Sequence, residues 1–131
     1  ANIEVALKQL YPGAQNIEWE VKGVYYVADC WVNGSELDVW FDANANWIMT
    51  EMEIFREQLP AAVNTAYEES GYGDWVIDNL TKLTFPHKSE EFVFEVQRGA
   101  QERALYYSAY GGLLLEKDIT DADDTHWPDV E

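Results

Sequence analysis

The chain has 131 residues, with 25 acidic and 8 basic side chains for a net charge of −17, and it is 47% hydrophobic and 15% aromatic. A surface this negative repels phosphate backbones and anionic headgroups, which sets aside nucleic-acid and membrane binding and favours basic partners or cations. The apolar fraction excludes a disordered chain, and at this length roughly two-thirds of the unfolded surface can be buried on folding.

Ile3, Leu7 and Leu10 have helical spacing, and Pro12-Gly13 ends that helix. Alternation then begins. Ile17, Trp19 and Val21 interleave with Glu18, Glu20 and Lys22 in a first strand, and Lys22-Gly23 turns the chain. Val24 to Val32 is a β-branched and aromatic second strand, followed by Asn33-Gly34, the strongest short hairpin signal. Leu37, Val39 and Phe41 alternate with Glu36, Asp38 and Trp40 in a third strand, and Trp47 to Ile54 is a fourth after an Asp/Asn-rich turn.

The order then restarts. Leu59, Val63, Ala66 and Tyr67 have helical spacing behind Pro60. Strands follow within Trp75 to Phe85, around Phe92 to Val96, around Leu105 to Tyr107, and from Leu113 to Ile119, with turns at Pro86, Arg98-Gly99 and Tyr110-Gly111-Gly112. The expected fold is therefore α+β: two tandem α-β-β-β-β repeats with antiparallel strands and the helices packed on one face. Residues 1–54 form the first repeat, 55–120 the second, and 121–131 an acidic tail. The linker Phe55-Arg56-Glu57-Gln58 is short enough for the repeats to pack as one body.

Cys30 is the single cysteine, so no intrachain disulfide forms, and between Ala28 and Val32 it serves as a small hydrophobe. No run is long enough to span a bilayer as a helix. The start at Ala1, partway into an amphipathic pattern, fits a leader already removed and equally a chain trimmed at this point.

Tyr11-Pro12-Gly13-Ala14 with Ile17-Glu18-Trp19, Tyr25-Tyr26-Val27-Ala28, Val39-Trp40-Phe41-Asp42-Ala43-Asn44 and Leu59-Pro60-Ala61-Ala62-Val63 together resemble the PepSY-like family of β-lactamase-inhibitor-like proteins. The resemblance covers the chain up to the tail. It implies a periplasmic or secreted protein with two α-plus-four-strand repeats and no catalytic residues. It also implies, by analogy of fold, a protein inhibitor that grips its target with a sheet face.

Candidate sites follow from spacing. Asp42, Asn44, Asn46 and Glu53 stand at positions 1, 3, 5 and 12 of a calcium-loop register, but Trp47 occupies the glycine position and the flanks are strands, so a β-turn is the preferred reading. Asp121, Asp123, Asp124 and His126 read as a solvated tail, and His87 as a surface loop residue. No cofactor is expected. Alternation places Tyr25, Val27, Asp29 and Trp31, then Glu36, Asp38 and Trp40, on the face away from the helices, with Val93, Glu95 and Tyr106 as their second-repeat counterparts. Tyr25, Trp31, Trp40 and Tyr106 among carboxylates make the expected partner-binding face. The expected function is a non-catalytic binding module for a protein or peptide. Carbohydrate or small-ligand binding, a calcium-dependent structural role and self-association are the alternatives.

Overall fold

The computed structural model describes residues 2–121. Helix α1 (Ile3–Leu10) starts at Asn2, whose side-chain oxygen accepts from the Val5 amide at 3.2 Å, and closes with the Tyr11 amide donating to the Leu7 carbonyl. Strands β1 (Gln15–Lys22), β2 (Tyr25–Val32), β3 (Ser35–Phe41) and β4 (Trp47–Glu53) follow, each antiparallel to the next. Asn33 and Gly34 both have positive φ, 52° and 82°, as the type I′ turn between β2 and β3 requires.

After a 3-10 turn (Arg56–Gln58), helix α2 (Ala61–Glu68) leads to β5 (Val76–Thr84), β6 (Glu91–Arg98), β7 (Gln101–Ser108) and β8 (Leu113–Asp118), again antiparallel in sequence order. Among the described residues the class is α+β with eight antiparallel strands and two helices, as the alternation and turn signals predict. The described chain divides into two compact units. One runs to Glu53 and includes Thr84–Lys88; the other holds Ile54–Leu83 and the chain from Ser89 onward. Of the expected tail, all but Asp121 lies outside the described residues, and with it Asp123, Asp124 and His126.

In the first unit α1 lowers Leu7 onto Ala28 and Cys30 of β2 and Leu37, Val39 and Phe41 of β3. Trp19 borders this core, its ring centroid 6.0 Å from that of Phe41. Each fully buried aliphatic of this set contributes about 1.5–3 kcal/mol of transfer free energy. Buried Thr50 is held by two donors, Tyr11 Oη and Trp47 Nε1, each at 2.9 Å from its Oγ1. In the second unit α2 places Tyr67 flat on Phe94, with centroids 4.1 Å apart, and Tyr107 meets Phe94 edge-on at 5.7 Å. Each helix thus covers one face of its own strands.

Gly111 in the β7–β8 turn is fixed by both conformation and space. Its φ is 87°, and a Cβ there would lie 2.7 Å from the Ala62 carbonyl oxygen on α2. Gly111→Ala should destabilise the protein by about 2 kcal/mol or more. Thermal unfolding checks this; a melting temperature equal to wild type would show that turn and helix separate freely.

Candidate protein-binding face

Because side chains alternate along a strand, the residues between the core positions of β1–β4 share the face opposite α1. Register aligns them in rows. Glu18 pairs with Asp29, Asp29 with Asp38, and Asp38 with Glu51, so four carboxylates line up across four strands. Directly opposed side chains have Cβ atoms about 4.5–5.5 Å apart, and the row spans roughly 14 Å. On one side Trp31 stands opposite Glu36, towards the Asn33-Gly34 turn. On the other side Glu20, Val27, Trp40 and Met49 form the next row.

Like charges placed opposite one another repel, and proton affinities report the strain. Asp38 is pushed up to about 6, first by burial and then by Asp29, with Lys22 opposing and Glu36 and Glu20 adding. Glu36 is also pushed up, chiefly through its hydrogen bond with Asp29. Acceptor–acceptor pairs bond only by holding a proton between them.

The aromatic side chains of this face do not share one environment. Trp31 is exposed, at 43%. Trp40 is 1% exposed: its Nε1 donates to Glu51 Oε1 at 2.7 Å, Tyr25 meets its ring edge-on at 5.6 Å, and Lys22 Nζ lies 5.4 Å from its centroid. Tyr25 is half-buried. Tyr106, in the second unit, is also 1% exposed, with Lys117 Nζ 4.9 Å from its ring. Of the four aromatic side chains expected on an open face, Trp31 is exposed and Tyr25 half-buried, whereas Trp40 and Tyr106 are buried, which corrects the expectation of exposure at those two. Alternation names the face of a residue; it does not say what covers that face. Glu18 and Glu51, which complete the carboxylate row, are absent from the set that the sequence singles out. The signal that could find them is the outward phase of β1 and β4 combined with the short turns that set register.

The other candidates resolve simply. Asp42 caps its own turn: Oδ1 accepts from the Asn44 and Asn46 amides at 2.9 Å each, and Oδ2 from Asn46 Nδ2 at 3.0 Å. These bonds hold its carboxyl below the usual range. β4 carries Glu53 roughly 20 Å from the start of the strand at about 3.3 Å per residue. Asp42, Asn44, Asn46 and Glu53 are thus not gathered into one loop, and no cluster of metal-binding side chains occurs among the described residues. His87 is exposed in the loop after β5. Cys30 is buried, and burial followed by Asp29 and Asp38 pushes its thiol up.

A family model described as "Putative beta-lactamase-inhibitor-like, PepSY-like" matches residues 24–115. Among solved structures, the chain is similar to a BLIP-like protein from Bacteroides fragilis, at 56% identity and a TM-score of 0.90, over 97% of this chain and 91% of that one. A protein from Bacteroides eggerthii described as a "putative periplasmic" protein is 31% identical, with a TM-score of 0.88 over 93% and 90% of the two chains. A DUF2874 family protein from Bacteroides ovatus is 29% identical, with a TM-score of 0.90 over 95% and 90%. No curated protein matches. No described helix is long and apolar enough to cross a membrane. With more than half of its length matched by the family model and a relative of this identity along nearly all of it, the chain belongs to the PepSY-like family of β-lactamase-inhibitor-like proteins.

Proposed function

We propose that this protein is a non-catalytic binding module of the cell envelope that docks a basic protein on the outer face of β1–β4, at the end bearing Trp31. The carrying observation is the row Glu18–Asp29–Asp38–Glu51 beside an exposed Trp31. Opposed carboxylates that repel one another gain most from a cationic partner, and a charged face raises the encounter rate with it. Trp31 supplies the kind of aromatic anchor that dominates interface energies.

Likeness to a BLIP-like protein supports an inhibitory role against a secreted enzyme, and the eggerthii relative supports a periplasmic location. The non-catalytic reading is supported by Cys30, whose thiol is buried and pushed up, the opposite of an activated nucleophile. The shared order of one helix and four strands in each unit supports descent from one duplicated element.

Affinity capture from an envelope extract, with wild type and Trp31→Ala side by side, tests the reading. The captured protein should be basic, should bind Trp31→Ala at least tenfold more weakly, and should lose about tenfold in affinity between roughly 50 and 300 mM salt. Melting temperature should shift by no more than about a few degrees with this substitution. Equal capture by both forms, or binding indifferent to salt, would sink the proposal.

A further inference from the structure

Strand β1 is an edge: among the described residues it pairs with β2 alone. An edge strand offers unpaired N–H and C=O groups to any extended chain. Its regular stretch is short. Register shifts between Gln15 and Glu18, where Asn16 has a φ of 55°, and pairing is regular from Glu18 to Lys22. Such a bulge bends the first part of the strand away and leaves about five residues as a template.

The two sides of this edge differ. On the side of α1, Leu7, Ile17 and Trp19 floor a cleft of about 320 Å³ whose rim carries Glu4 and Lys8. The apolar strip continues past the cleft to Val21, 67% exposed, and to Tyr26 opposite it. On the other side stand Glu18 and Glu20, both exposed; the Glu20 side chain keeps 57% of its surface and meets Lys22 Nζ at 3.6 Å. A strand laid along β1 would send alternate side chains to these two sides. One set meets an apolar strip, and the other meets Glu18 and Glu20, with Lys22 at the end of the row.

We propose that β1 is a strand-addition site for an extended peptide segment of another protein in which apolar and basic residues alternate. Main-chain pairing along Glu18–Lys22 supplies the affinity common to strand addition, and the two sides supply the selection. Apolar side chains cover Trp19 and Val21, one of them entering the cleft against Leu7, while lysine or arginine side chains face Glu18 and Glu20. A second copy laid antiparallel about Glu20 sets Glu20 against Glu20 but each Glu18 against a Lys22, so self-pairing is the competing outcome that the test separates. The edge shares Glu18 with the carboxylate row but does not use Trp31, so Trp31→Ala and Val21→Ser tell the two proposals apart.

The test is a titration of the full, isotope-labelled chain with two octapeptides of one composition, half lysine and half valine. In one the two residue types alternate; in the other all the lysines precede all the valines. The alternating peptide should bind at least tenfold more tightly and slow amide exchange between Glu18 and Lys22. Glu20→Lys should weaken it tenfold or more, and Val21→Ser about fivefold. Both residues are exposed, so both variants should fold. Trp31→Ala should bind it as wild type does. Equal binding of the two peptides, shifts confined to Asp38 and Glu51, no binding at millimolar peptide, or a dimer of the protein formed through the same amides would each overturn the assignment.

Discussion

Trp40→Ala should lower stability by about 3–5 kcal/mol, the usual result of emptying a fully buried indole site, and the melting temperature by roughly 10 °C or more at this chain length. The side chain is among the largest fully buried ones. Removing it deletes its packing beside Val27, Met49 and Tyr25, and it strips Glu51 of a 2.7 Å donor. A half-buried carboxylate that loses such a donor sits worse in the fold, which adds to the cost of the cavity. Trp31→Ala is the contrast. At 43% exposure on the same face it should change stability little, by about 1 kcal/mol or less. Parallel thermal melts decide the matter. Equal melting temperatures for the two variants would mean that the burial of Trp40 contributes little to the fold.

The second expectation concerns charge. Asp38→Asn should raise stability at neutral to slightly alkaline pH by about 1–2 kcal/mol, after discounting for partial exposure. The folded chain holds a proton at Asp38 up to about pH 6, whereas an unperturbed aspartate releases it near 3.8. Between those values the native state binds more protons than the unfolded one, so stability falls as pH rises through that window and stays lower above it. The asparagine variant loses both the titration and the repulsion from Asp29, the largest charge effect on the site. Added salt should raise the wild-type melting temperature more than that of the variant, since screening relieves the same repulsion. Denaturant titrations below, within and above the window, at about pH 3.5, 5 and 7.5, measure the slope. An Asp38→Asn protein with unchanged stability above the window would remove the carboxylate row from the energetics of the fold.

Much of the architecture was legible because local signals agreed with one another. Asn33-Gly34 specified a two-residue turn, the turn set the register of β2 on β3, and the register assigned Ala28, Cys30, Leu37 and Val39 to the face beneath α1. Asp42 read as a turn residue because its spacing lacked the glycine of a calcium loop, and its carboxylate is occupied by its own turn. The site was legible only in part. Periodicity put Trp31 and Trp40 on one face, yet what covers Trp40 is a property of packing that no alternation encodes. The carboxylate row depends on register carried across four strands at once. A single strand contributes one charge to it, which looks like any other solvated carboxylate.

The lone thiol under α1 gives the molecule an internal clock. Cys30 is buried in the same core as Leu7 and its thiol is pushed up, so a thiol reagent reaches it only when the helix lifts or the chain unfolds. The labelling rate of native protein therefore reads the opening frequency of the first unit, without any engineered probe. Set beside the rate of global unfolding in the same sample, it would tell whether α1 detaches on its own or only when everything else does.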